Sequence, residues 1–128
     1  MDKCERHAAG MKIRRTVLGD AYVDRAQAHE NAFNEDFQDF ITRYAWGEIW
    51  ARPGLPRNTR SLLTLAMLVA LNRVEELRIH VRAAANNGVT HDEIKEVFLQ
   101  CAIYCGVPAA NAAFHIAEEV FAESEAGR

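Results

Sequence analysis

Apolar positions recur at spacings of three and four rather than two, and Pro and Gly interrupt them rarely, so the pattern predicts an all-α protein. A first helix is expected over about Glu5 to Leu18, with Gly19 and Asp20 as its stop. A second covers about Asn31 to Trp46, where Phe33, Phe37, Phe40, Ile41 and Tyr44 follow at helical spacing and form its expected buried stripe. Across WGEIWARPGLPRN, Gly47, Pro53, Gly54 and Pro56 come too densely for a continuous helix, so a long irregular connection is expected. Asn58 or Thr59 then caps a helix through SLLTLAMLVALN that is apolar nearly all round, the pattern of a central buried helix wrapped by its neighbours.

The next helix runs over about Val74 to Asn87 and stops at Gly88. Thr90 with Glu93 three residues later has the form of a capping box, which starts another helix at once. A last helix begins after Gly106, with Pro108 in its first turn, and ends near Phe121, leaving ESEAGR as a fraying tail. The sum is a bundle of about six helices. No repeat, linker or low-complexity stretch divides the chain, and 128 residues suit a single domain, 1–128.

Composition narrows the class. With 49% hydrophobic and 26% charged residues the chain can build a packed core. Its 15 Lys and Arg against 18 Asp and Glu leave a net charge of −3, which offers no bulk attraction for nucleic acid or anionic lipid. The longest apolar run, Leu65 to Leu71, falls far below the roughly 18 residues of a membrane span. The N-terminal MDKCERHAAGMKIRR carries charges where a signal peptide needs an apolar stretch, and three cysteines, Cys4, Cys101 and Cys105, do not suit a disulfide framework. A cytoplasmic location is expected.

Two places carry candidate chemistry. On RVEELRIHVRAAANNG, at 100° per residue, Arg73, Glu76, His80 and Asn87 fall within about 60° of one another beside an apolar flank of Leu77, Val81 and Ala84. A carboxylate at i and an imidazole at i+4 can pair, which would raise the pKa of His80 and suit it to donate a proton; the bland alternative is a surface Glu–His pair. Between positions 41 and 60, Arg43, Arg52, Arg57 and Arg60 are offset only by Glu48, a local charge of +3 beside Trp46 and Trp50. Guanidinium groups grip carboxylates bidentately, so a small organic polyanion is the natural ligand; otherwise these are dispersed surface arginines and core tryptophans.

Cys101 and Cys105 share an apolar stripe with Ile94, Val97 and Phe98, and CxxxC is not the CxxC of thiol exchange, which favours structural thiols. His115 and Glu119 read as a solvated i,i+4 pair. His29, His80, His91 and His115 are scattered, so no metal is expected, and the common nucleotide and hydrolase motifs are absent.

The stretches VLGDAYVDRA, FNEDFQDFITRYAWGEIWARPGLPRNTRSLLTLAMLVAL, ELRIHVRAAANNGVTHDEIKEV and YCGVPAANAAFHIAEEVF resemble the carboxymuconolactone decarboxylase family over about Arg14 to Phe121. The wider family includes the alkylhydroperoxidase D proteins, whose active helix reads CxxC, a His four residues later and a Gly eight beyond that. His80 and Gly88 match that His and Gly, while Arg73 and Glu76 stand where the cysteines would be. The resemblance therefore implies decarboxylation rather than peroxide reduction, in the protocatechuate branch of the bacterial β-ketoadipate pathway. It implies an alkylhydroperoxidase D-like helical fold and a homo-oligomer, trimeric or hexameric, which the surplus of apolar faces on a short chain also suggests.

The implied substrate, 4-carboxymuconolactone, is a lactone dicarboxylate that carries its own electron sink, so no cofactor is expected. On this expectation His80 donates the proton, Glu76 orients it and Glu48 is a second acid candidate. Arg52, Arg57 and Arg60 would hold carboxylate and oxyanion, with Arg43, Arg78 and Arg82 as further anion contacts, and Trp46 and Trp50 would wall the site. Two competing readings are a cysteine-based hydroperoxide reductase working through Cys101 or Cys105, and a non-catalytic helical binding module.

Overall fold

The computed structural model describes residues 2–126 and divides them into two compact units, one ending at Pro56 and the other beginning at Arg57. Seven α-helices, one π-helical segment and one 3-10 turn make up both units, and no strand occurs among the described residues. The all-α expectation holds.

In the first unit, α1 spans Lys3–Leu18, with Asp2 accepting the backbone N–H of Glu5 at its start. Gly19, at φ 93°, ends α1, yet the chain re-enters a helix at once as α2, Asp20–Ala28. The apolar pattern does not announce α2 because Val23 is its one buried side chain. The expected helix over Asn31 to Trp46 is shorter and different: α3 covers Glu35–Ile41, and Thr42–Trp50 continues as a π-helix. Much of the expected irregular connection is therefore helical, and only residues 51–56 lie outside regular structure. The expected aromatic stripe is not buried within the chain: Phe33 is 97% exposed, and Phe37, Phe40 and Tyr44 are exposed too, while Ile41 is half-buried.

What the π segment buries instead is Thr42 and Trp46. It lies against α1 at two glycines. A Cβ on Gly10 would stand 2.9 Å from the carbonyl carbon of Thr42 and nearer still to its oxygen, and one on Gly47 would stand 2.7 Å from the carbonyl oxygen of Arg6. Only glycine permits backbones to approach so closely.

The second unit holds α4, Arg57–Ala70, α5, Val74–Ala83, a 3-10 turn over Ala84–Asn87, α6, His91–Tyr104, and α7, Val107–Ala126. Leu65, Leu77, Val81, Ile94, Phe98 and Val120 form its core, and Phe98 meets Phe114 edge to face at 5.5 Å. Two helix ends are closed alike. At Asn72, φ 56°, the N–H of Arg73 donates to Leu68 O and that of Asn72 to Val69 O; at Gly88, φ 74°, the N–H of Val89 donates to Ala84 O and that of Gly88 to Ala85 O. Both are Schellman closures, the second at the expected glycine. The Thr90–Glu93 capping box is present in both directions.

Three expectations fail here. Helix α4 is not buried all round: Ser61, Leu65 and Val69 face the core, but Leu63, Met67 and Leu71 are exposed within the chain. Asn58 and Thr59 do not precede α4 but lie in its first turn, where Asn58 Oδ1 accepts the backbone N–H of Thr59. Helix α7 runs through Ala126, so the tail does not fray after Phe121; Gly127 and Arg128 lie outside the described residues.

Candidate functional site

Five of the nine expected site residues fall in the first unit, all on or just after the π segment. Trp46 is buried and Trp50 half-buried, with ring centroids 5.3 Å apart at 30°. The arginines beside them are less free than the local count implies. Arg43 Nε donates to Asp39 Oδ2 at 2.9 Å and its guanidinium covers the Tyr44 ring at 5.2 Å, so an acid just outside the counted window neutralises it. Arg52 stands 3.6 Å from Glu48, pairing the second acid candidate with an expected anion ligand. A nine-residue π segment is itself a signal, since such segments gather at functional sites, and periodicity at 100° per residue is blind to it.

The other four belong to the second unit. Arg57 and Arg60 sit in the opening turns of α4, both half-buried, with no acid in that first turn, so their charge adds to the positive end of the helix. The Nε of Arg57 is enclosed and makes no hydrogen bond among the described residues. Helices α4 and α5 pack together across a three-residue connection, Leu71, Asn72 and Arg73, which makes them antiparallel neighbours. Counting outwards from Asn72 at 1.5 Å per residue puts Arg60 and His80 on the same half of this hairpin, about 6 Å apart along its axis.

His80 is half-buried and Glu76, one turn earlier, is exposed. Burial pushes the His80 pKa below its ordinary 6.5, and the attraction of Glu76 opposes this without overcoming it. The expected rise towards neutrality is thus reversed, because an exposed carboxylate acts through water while the imidazole is desolvated. The expected polar stripe also breaks up. Arg73 and Glu76 are exposed, whereas Asn87 is buried beyond the change from α-helix to 3-10 turn, its Nδ2 donating to Ala83 O. Ser61, which sequence reading passed over, is fully buried, and its hydroxyl has no partner among the described residues.

Further candidates are committed elsewhere. Arg78 pairs with Glu119 at 2.8 Å and Arg82 with Glu123 at 2.8 Å, tying α5 to α7, so Glu119 serves Arg78 rather than His115. Cys101 and Cys105 are free thiols, with Leu62, Leu63, Ala66 and Val97 around a 390 Å³ apolar groove. Burial, reinforced by the Cys105 thiol, pushes the Cys101 pKa up to about 11, the opposite of what a peroxide-reducing thiolate needs. Among the described residues no three His, Cys, Asp or Glu side chains gather as a metal site, and no helix is long and apolar enough to cross a membrane.

Residues 35–119, which carry all nine expected site positions, match the sequence pattern of the carboxymuconolactone decarboxylase family. The chain belongs to that family. Family relatives include a 4-carboxymuconolactone decarboxylase of Acinetobacter baylyi, 57% identical over 121 residues, 94% of this chain and 90% of the relative. A nitrosuccinic acid decarboxylase of Metarhizium robertsii is 47% identical over 100 residues, 78% of this chain and 70% of its own length. A 4-carboxymuconolactone decarboxylase sequence of Pseudomonas putida matches over 48 residues at 54%, covering 38% of this chain and all of that sequence.

Proposed function

We propose that this chain is a carbon–carbon lyase that decarboxylates 4-carboxymuconolactone to the β-ketoadipate enol-lactone and CO2. The observation that carries the reading is the 57% identity across 94% of the chain to a decarboxylase of that name. The chemistry agrees with the residues. The departing carboxylate sits on the saturated ring carbon γ to the lactone carbonyl, joined to it through the ring C=C. As the C–C bond breaks, its electron pair moves into the ring and onto that carbonyl, giving a furanolate. A proton then adds at the ring carbon α to the carbonyl. Nitrosuccinic acid, named for the second relative, has the same logic: one carboxyl beside an electron-accepting group and a second carboxyl to be held.

The protein must therefore hold one carboxylate, receive oxyanion charge and deliver one proton. In the second unit, Arg57 and Arg60 at the positive end of α4 supply cationic groups on the hairpin that carries His80. In the first unit, Arg52 is a further cation and Trp46 and Trp50 offer an apolar surface. His80 is the proton donor. Its depressed pKa leaves it neutral in the free protein near pH 7, and the arriving dianion pulls the pKa back up, so substrate binding brings in the proton that the furanolate takes. Glu76 favours the same protonated form.

Leu71, Met67, Ile103, Tyr104 and Val107, all more than half exposed, support assembly into a homo-oligomer, trimer or hexamer, in a thiol-preserving cytoplasm. The family match runs across both compact units, which supports a single working domain over 1–128. The test is to supply the lactone to purified protein and follow CO2 and enol-lactone together. One of each per substrate consumed, undiminished after chelation, supports a cofactor-free lyase; a folded chain without turnover contradicts it. Peroxide consumption that Cys101→Ser or Cys105→Ser abolishes would favour the thiol reading instead.

A further inference from the structure

The first unit contains a buried cation that the decarboxylation does not use. Arg14, on α1, is 5% exposed, yet no carboxylate lies within ion-pair distance of it among the described residues. Its Nη2 donates to Gln38 Oε1 at 3.1 Å and its Nη1 to Thr42 Oγ1 at 3.4 Å, both neutral acceptors, and its enclosed Nε has no acceptor. The Thr42 hydroxyl is oriented to receive it, because that hydroxyl donates its own proton to Gln38 O at 2.7 Å. A guanidinium has five N–H donors and holds its charge even when buried, so this one is under-satisfied.

Beside it lies a cavity of about 110 Å³, lined by Arg14, Gln38, Thr42, Gln27 and His7, with Glu30 and Asp39 among its walls. At about 30 Å³ per water, that space takes three or four waters or one formate- or acetate-sized anion. Asp39 is already engaged by Arg43 at 2.9 Å, which offsets its charge. Glu30 is exposed and acts on Arg14 only at longer range. We propose that Arg14 and this cavity form a binding site for a small carboxylate, gripped by the guanidinium and hydrogen-bonded by the amides around it. Arg14 lies outside the family-matched residues 35–119, and none of the nine residues assigned to decarboxylation lines the cavity, although its wall residue Asp39 is paired with one of them, Arg43.

The probe is sodium formate at constant ionic strength, followed by the Arg14 Nε–H resonance and by thermal melting. Wild type should show a saturable shift of that resonance and a melting temperature that rises with formate. Gln38→Glu, nearly isosteric and 3.1 Å from the guanidinium, supplies an internal carboxylate. It should abolish both responses and raise the melting temperature without formate. Glu30→Gln removes a surface charge that opposes the anion and should tighten formate by roughly threefold. No saturable shift in wild type, an unchanged response in Gln38→Glu, or weaker binding in Glu30→Gln would each overturn the proposal.

Discussion

Gly10→Ala tests how the tryptophan-bearing segment is held. The new methyl would overlap the Thr42 carbonyl oxygen and also stand 2.9 Å from its carbonyl carbon and 3.0 Å from Gly47 N, where ordinary contact begins at 3.4 Å, so the facing backbone must retreat by about 1 Å or more. Overpacking of this kind costs about 1–3 kcal/mol, and the rigid backbone on the far side puts this case at the upper end. Alanine returns about 1 kcal/mol through its better helix propensity. The net loss is therefore about 2 kcal/mol, or roughly 6–10 °C in melting temperature for a chain of this size. Both tryptophans lie on the displaced segment, so emission at 25 °C should change together with the melt. Gly88→Ala is the control: nothing lies within 4 Å of its new methyl, so only the left-handed backbone is penalised, about 1 kcal/mol, with emission unchanged. A Gly10→Ala chain that melts at or above wild type with unaltered emission would refute the packing argument.

Other expectations are simpler to state. If protonated His80 is required, kcat/KM should fall as pH rises through a value below 6.5 and kcat at a higher pH, because the bound dianion raises the pKa; Glu76→Gln should move both limbs to lower pH. By linkage, a depressed histidine pKa contributes stability that is present above pH 6.5 and lost as pH falls, so His80→Gln should flatten that acid limb in a denaturant titration. Iodoacetamide at pH 7.5 should modify exposed Cys4 quickly and spare Cys101, whose thiol stays protonated until about pH 11; equal rates would contradict its burial. Thr90→Ala should cost about 1 kcal/mol by opening the capping box, measured by urea midpoint at constant slope.

The second unit was the more legible in sequence. Gly88 and the Thr90–Glu93 box set their helix ends through local rules, and Ile94, Phe98 and Cys101 follow one period into one core. The first unit resisted because its decisive features are not periodic at 3.6 residues. The π segment carries Trp46 inward and leaves Phe33, Phe37 and Phe40 exposed, and its position depends on two glycines that read as breakers rather than as contact points. Among site residues, the grouping of Arg57, Arg60, Glu76 and His80 on one helical hairpin follows from the order of elements. The partners of Arg43 and Arg52, and the sign of the His80 shift, depend on burial and on distances that no spacing reveals.

The proposed mechanism assigns His80 as the proton donor to the furanolate. The direct measurement is CO2 release from 4-carboxymuconolactone by His80→Asn, at the pH optimum of the wild type and with folding verified by circular dichroism. A fall in kcat of about a hundredfold or more is predicted. Release within a fewfold of wild type would contradict it.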